Sequence, residues 1–337
     1  MTYLCGSSVH YGVPSDETFD FLGVLQTAKY YRAFGAERLD IPQTAAVCMA
    51  QIRASVQEAG WPSEKLHEVP LFIGSTSYTV ADSERPDFCG EPSYLLNDLA
   101  ECLRSEGGFA AVHGFATSCT SAANALMQAH RLLESGLAER VLVLGVESFN
   151  LLTLMHFHSL GLLSSEYRPF RAAGLILGEG AACLALSRSR PSADGSVWRL
   201  AGIAAHTDTA QPAESSSGAM ATVMQTALAR ADVAPHRIAE VKAHAVGSAG
   251  SDAAERQALL AVFGREPPLV CIKPQTGHTL GASAAVETAL WRQAAGRLKT
   301  GKTDFGGTEN RQANHYLLAN FFGFGGNLVS AVWEVSE

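Results

Sequence analysis

Phe109-Ala-Ala-Val-His-Gly-Phe-Ala-Thr-Ser-Cys119-Thr-Ser-Ala-Ala-Asn-Ala-Leu-Met-Gln-Ala-His130 changes character at its centre. The first half is a short apolar run rich in Phe, Ala and Val, the pattern of a buried strand. From Cys119 to Ser135 the apolar residues fall at 122, 125, 126, 129, 132 and 133. That is the i, i+3, i+4, i+7 spacing of a helix, and Gly136 follows where a C-terminal cap belongs. Cys119 therefore stands where a strand turns into a helix. The first N–H groups of a helix lack intrahelical partners and carry the positive end of its dipole. A thiol there is expected to ionise more easily, and the thiolate is the reactive species. The helix is rich in Ala and Ser, so it reads as a buried element with a nucleophile at its tip. The competing reading is a small, inert core cysteine.

Moving outward, strands and helices alternate along the chain. A strand opens it at residues 2–13, and Ala45, Ala46, Cys48, Met49, Ile52 and Val56 predict a helix from Ile41 to Gly60. Val69 to Gly74 and Arg140 to Gly145 read as buried parallel strands, without polar alternation. Ser75 to Ser93 reads as loop and Tyr94 to Arg104 as a short helix. Gly174 to Leu186 reads as a glycine-interrupted strand pair, and Arg188 to Gly195 as a linker. Beyond it the order repeats: strands at Val197–Ala205, Ile238–His244 and Leu269–Ile272, with helices at Gly218–Ala231, Asp252–Phe263 and Thr279–Ala289. Two more strands, Tyr316–Asn320 and Leu328–Val335, flank a glycine loop. This alternation predicts an α/β fold of two similar halves, 1–190 and 191–337. The Ala-rich helices after Cys119 and after His278 are expected to meet at its centre.

Composition narrows the function classes. The 337 residues are 47% hydrophobic and 17% charged, which suits a large folded core rather than disorder. A net charge of −8 argues against nucleic acid as a partner. Seven scattered cysteines with no C-x-x-C pair suggest a reduced, cytoplasmic protein rather than a disulfide framework. No signal peptide is visible, and no apolar run approaches the ~20 residues of a membrane span.

Three further turns share the placement of Cys119. They are Ala243-His244-Ala-Val-Gly-Ser248, Lys273-Pro-Gln-Thr-Gly-His278 and Phe322-Gly-Phe-Gly-Gly326. Each follows a strand, at the end of the sheet where α/β proteins bind ligands.

The set Thr117-Ser-Cys119, His244, Lys273 with Gly277-His278-Thr, and Gly323-Phe-Gly-Gly326 resembles the elongating β-ketoacyl-acyl-carrier-protein synthases. Leu177-Gly-Glu-Gly-Ala181, Asp252 with Glu255, Ala261-Val-Phe-Gly264 and Glu287 support the likeness. The resemblance implies the thiolase-like fold, a five-layered αβαβα sandwich of two duplicated halves. It also implies decarboxylative Claisen condensation of a carrier-bound acyl chain with malonyl carrier protein. By the same likeness Cys119 takes the acyl group, and His244 and His278 hold the malonyl thioester oxygen. Lys273 supports the histidine pair, with Glu287 as its carboxylate partner. The N–H groups of Cys119 and Phe324 form the oxyanion hole, Phe324 doubles as a gate, and Ser248 binds the pantetheine arm. No metal or cofactor is implied beyond the phosphopantetheine of the acyl carrier protein. The implied assembly is a homodimer, or a heterodimer with a related ketosynthase-like subunit.

A thiolase would carry a second cysteine in the glycine loop, which Phe322 to Gly326 lacks, and a starter-type synthase would have asparagine where His278 stands. The departures are Val246 for a threonine that binds the arm, Asn327-Leu328 in the glycine loop, and missing acids after Phe170. The chain is also short at residues 75–105 and 150–175. These point to a divergent member in specialised fatty-acid or polyketide-type biosynthesis. Two alternatives stand beside it: a non-catalytic partner resembling a chain-length factor, and an acyltransferase using the same cysteine.

Overall fold

A computed structural model describes residues 1–336 except 36–37, 86, 89–96, 172, 192–194, 210–214 and 298–313. The chain opens with β1 (Thr2–Tyr11), the hairpin β2 (Val13–Phe21) and β3 (Val24–Arg32), and α1 (Ile41–Glu58). β4 (Leu71–Gly74), α2 (Val80–Ser83), α3 (Asn97–Gly107), β5 (Val112–Phe115) and α4 (Ser121–Glu134) follow. β6 (Arg140–Glu147), α5 (Leu151–Ser159), β7 (Leu177–Gly178) and β8 (Gly180–Ser187) close the first part. The second runs β9 (Val197–Thr207), α6 (Ser217–Ala231), β10 (Ile238–Lys242), α7 (Ala249–Phe263) and β11 (Leu269–Val270). It ends with α8 (Lys273–Thr276), α9 (Ser283–Arg297), β12 (Asn314–Phe322) and β13 (Asn327–Ser336).

Ten strands form one hydrogen-bonded sheet in the order β11-β10-β12-β13-β9-β1-β8-β6-β4-β5. Read outward from its middle, the two arms are the same. β1-β8-β6-β4-β5 and β9-β13-β12-β10-β11 each pair antiparallel, antiparallel, parallel, parallel. The arms join where Thr2–Leu4 runs antiparallel to Trp198–Leu200.

Apart from the edge strand β5, each arm buries both faces, which explains its unbroken apolar runs. α1 and α3 cover the outside of the first arm through residues such as Ile52, Leu99 and Leu103. α6 and α7 cover the second through Met224, Leu228 and Leu259. α4 and α9 fill the space between the arms, with Ala122, Ala125, Leu126, Ala285, Val286 and Ala289 packed against strand residues of both. The result is the five-layered αβαβα sandwich implied by the resemblance. Small side chains on the central helices let two sheets and two helices share one core at close packing.

The structure corrects several local expectations. The strand before Cys119 is not buried: β5 has β4 on one side only, and His113 and Gly114 are exposed. The expected loop after Gly74 holds the helical turn α2. β11 is only two residues long, because Lys273–Thr276 already turns as helix. The hairpin β2–β3 had no counterpart in the sequence reading. It pairs with β7 as a separate three-stranded sheet. Residues 94–96 of the expected helix Tyr94–Arg104, 86 and 89–93 of the expected loop and 192–194 of the linker lie outside the described residues.

Candidate active site

Two glycines on adjacent strands let the central helices approach. Gly74 of β4 and Gly145 of β6 are register partners. A Cβ on Gly74 would stand 2.2 Å from the backbone nitrogen of Ala122 in the first turn of α4. One on Gly145 would stand 2.9 Å from both the Ala282 carbonyl oxygen and the Ala285 Cβ, at the start of α9. Forcing a methyl into such a contact costs roughly 1–3 kcal/mol. The two helix starts are thereby drawn to one place, with Cys119 just before one and His278 just before the other.

Cys119 occupies a tight turn in which Ser118 takes a left-handed φ of 58°. Ser121 pins that turn, accepting from Thr117 N–H at 3.0 Å and donating to the Ser118 carbonyl at 2.6 Å. The thiol is buried, with Sγ 3.2 Å from His278 Nε2. The backbone of His278 is clamped by β7 and its approach: its N–H donates to Ile176 at 2.7 Å and its carbonyl accepts from Gly178 at 3.0 Å. On the far side of the ring, Nδ1 lies 3.3 Å from Ser283 Oγ.

His244 follows β10. Its N–H and that of Ala245 donate to Glu255 at 2.8 and 2.7 Å, so the first turns of α7 fix the turn that carries it. Asp252 accepts from Gly247 N–H at 3.0 Å and Phe170 N–H at 2.7 Å. Gly247 has φ 95°, and a Cβ there would stand 2.3 Å from the Gly174 oxygen. The His244 and His278 rings meet edge to face at 5.6 Å. Behind them Lys273 Nζ donates to the His244 carbonyl at 2.7 Å and pairs with Glu287 at 2.8 Å. Lys242 pairs with the other oxygen of Glu287 at 2.5 Å.

Burial sets the charge states. It pushes the Cys119 thiol up to about 11, against smaller opposing pulls from Ser118, the Phe324 N–H and Lys273. The expected lowering at the helix start does not prevail, for a structural reason. α4 begins at Ser121, and the N–H groups of Thr120 and Ser121 already bond to Thr117 and Ser118. Burial also pushes both imidazoles well below their ordinary range, with Lys273 reinforcing it. At neutral pH the site holds a thiol beside two neutral imidazoles.

A cavity of about 180 Å³ opens onto these groups. Cys119, His244, His278 and Phe324 line it, and so do Val246 and Ser248. Ser248 begins α7 without capping it, so its hydroxyl is not spent on the helix. The Phe324 N–H points at Cys119 Sγ, and its ring stands 5.7 Å from Phe157 of α5. Cys119, His244, His278, Phe324 and Ser248 thus gather in one cavity wall, with the Lys273–Glu287 pair behind it.

Sequence reasoning missed three participants. Lys242 is a lysine alternating with Glu240 on one face of an otherwise apolar strand, a visible signal. Ser283 is a lone hydroxyl in an Ala-rich helix start. Glu147 is buried at the end of β6 and accepts from Thr76, Ser77 and Gly281 N–H groups, tying the segment after β4 to the approach to α9.

Comparisons with known proteins identify the family. The family model for the beta-ketoacyl synthase N-terminal domain matches residues 34–192, and the one for the C-terminal domain matches 198–295. The chain belongs to the beta-ketoacyl synthase family. A mitochondrial 3-oxoacyl-[acyl-carrier-protein] synthase of Arabidopsis thaliana is 28% identical over 221 residues, 58% of this chain and 47% of that protein. The chain thus matches about half the length of that curated relative. Among solved structures, a beta-ketoacyl synthase from Burkholderia phymatum superposes with TM-score 0.83 at 19% identity, covering 100% of this chain and 99% of that one. A ketosynthase in complex with its chain length factor, from Xenorhabdus doucetiae, gives 0.79 at 19%, covering 99% and 98%. These two likenesses bear on the fold. Among the described residues no helix is long and apolar enough to cross a membrane.

Proposed function

We propose that this chain is a condensing enzyme that extends an acyl chain carried on acyl carrier protein, by decarboxylative Claisen condensation with malonyl carrier protein. The observation that carries this reading is the Cys119 Sγ–His278 Nε2 approach of 3.2 Å, inside a cavity that His244 also lines.

The chemistry follows from the charge states. A thiol held up near 11 is a poor nucleophile at neutral pH and needs a base. With Nδ1–H donating to Ser283 Oγ, His278 turns the lone pair of Nε2 to the thiol and accepts its proton as sulfur attacks the acyl thioester. That proton leaves on the carrier's thiol, and the acyl group stays on Cys119. The Cys119 and Phe324 N–H groups receive the thioester oxygen; one such donor is typically worth ~10²–10³ in rate.

Malonyl carrier protein then enters with its thioester oxygen between the two imidazoles. Ser283 can reverse its role and donate to Nδ1, so that Nε2 carries the proton toward that oxygen. As the C–C bond to the carboxylate breaks, carbon dioxide leaves and the electron pair forms an enolate held by His244 and His278. The enolate carbon attacks the acyl-Cys119 carbonyl, and the thiolate leaves and is reprotonated. Neutral imidazoles suit this task, since the same groups donate hydrogen bonds and exchange a proton without a standing charge.

Lys273 and Glu287 hold the His244 turn, and Ser248 meets the pantetheine arm. The partners are the carrier protein and a second ketosynthase-like subunit, identical or related. A shape-only partner subunit has no use for the thiol–imidazole pair, which favours the enzyme. Intact-mass analysis after incubation with acyl-carrier proteins of different chain lengths tests the reading. The expected result is an acyl adduct on wild type, absent in Cys119→Ala, and a 3-oxoacyl product when malonyl carrier protein is added. An adduct with no carbon dioxide released would leave only an acyltransferase.

A further inference from the structure

Lys242 is a second buried lysine on one carboxylate. Its side chain is 1% exposed, as are those of Lys273 and Glu287. Nζ pairs with Glu287 at 2.5 Å, donates to the Asn320 carbonyl at 2.5 Å, and lies 3.8 Å over the Phe321 ring. An unbroken chain of contacts results, from Asn320 in β12 through Lys242, Glu287 and Lys273 to the His244 carbonyl. Burying an ammonium is costly unless it is paired, and here half of another residue's partner is used for it. A hydrophobic side chain at 242 would leave Glu287 and Lys273 as a balanced pair.

We propose that Lys242 is a positioning residue of the site. It fixes one oxygen of Glu287 so that the other holds Lys273 against the His244 turn, and it sets a second positive charge behind the two imidazoles. The proposal deepens the condensing-enzyme reading and rests on it for its catalytic meaning.

The surroundings of each group support the electrostatic half. Lys242 is faced by Glu287 from α9, Lys273 from α8 and Glu255 from α7. His244 is faced by Lys273, Lys242 and His278, and His278 by both lysines, His244, Cys119 and Ser283. The remaining nearby acids are turned onto other donors. Glu255 accepts from the His244 and Ala245 N–H groups and from Asn320 Nδ2, and Asp252 from Gly247 and Phe170. Glu147 accepts from Thr76, Ser77 and Gly281. Both lysines lower both histidines. Removing one positive charge therefore raises the imidazoles toward their ordinary value.

Two variants test this: Lys242→Met, which removes charge and hydrogen bonds, and Lys242→Gln, which removes the charge and keeps a donor. The readouts are the pH profile of malonyl carrier protein decarboxylation and, independently of activity, the histidine protonation curves from ¹⁵N-histidine NMR. In each variant that folds, the acid limb and the NMR midpoints of His244 and His278 should move up by about half a pH unit or more. Lys242→Gln should keep more of the maximal rate than Lys242→Met. Midpoints unmoved in a folded variant would overturn the proposal, even if its melting temperature fell. If wild type releases no carbon dioxide at any pH, the condensing-enzyme reading fails, while the NMR midpoints still decide the electrostatic claim. Should neither variant fold, Lys242→Leu, which leaves Glu287 and Lys273 as a balanced pair, takes their place with the same NMR readout, and unmoved midpoints there would overturn the claim.

Discussion

The two arms of the sheet share strand order and pairing sense, yet they bring different side chains to the centre. The turn between β5 and α4 delivers Cys119, a thiol with one buried acid, Glu147, nearby. The corresponding passage from β11 through α8 to α9 delivers His278, backed by Lys273, Lys242 and Glu287. The repeated arrangement aims two strand-to-helix turns at one centre, because the equivalent helices α4 and α9 share a core. In the proposed reading, one turn supplies the nucleophile and the other the proton handling. Neither arm has a complete site. The contrast also explains why burial dominates the thiol: the central layer that brings the turns together excludes the water a thiolate would need.

The largest effect that sharpens this contrast is at His278. Because the thiol sits near 11, His278→Ala should slow both acyl transfer to Cys119 and carbon dioxide release, each by roughly 10²–10⁴. Rapid-quench acylation kinetics and a decarboxylation assay read the two separately; a preformed thiolate would spare the first.

A graded effect comes next. With the thiol raised to about 11, its free thiolate fraction at pH 7 is on the order of 10⁻⁴. Alkylation of Cys119 by iodoacetamide should therefore climb about tenfold per pH unit above 7, followed by peptide mass mapping. A rate flat from pH 6 upward would mean that the helix start has prevailed over burial.

The smallest effect lies at the cavity rim. Val246 lines the cavity beside Ser248. Val246→Thr should lower the KM for malonyl carrier protein by a factor of a few, as expected for one hydrogen bond of ~1 kcal/mol. Steady-state kinetics showing an unchanged or raised KM would move the pantetheine arm away from this turn.

Much of this arrangement was legible because both arms use buried strands and buried helices, whose periods are strong signals. The helix from Cys119 onward, the two histidine turns and the glycine loop could be read from spacing and from family resemblance. The exposure of β5 could not, since edge position is a property of sheet order and not of the local run Val112–Phe115. Nor could the state of Cys119. A helix start favours a thiolate, and only the packed structure reveals that the adjacent N–H groups are already engaged. Lys242 was visible as a charge in an apolar strand, but its partner lies 45 residues away on α9.

The division of labour between the arms is tested most directly by carbon dioxide release from malonyl carrier protein in Cys119→Ala and His244→Ala, measured side by side. The account predicts that Cys119→Ala still releases carbon dioxide, since the imidazole pair is intact, while His244→Ala falls by roughly 10²–10⁴. Equal loss in both variants, or full release by His244→Ala, would contradict it.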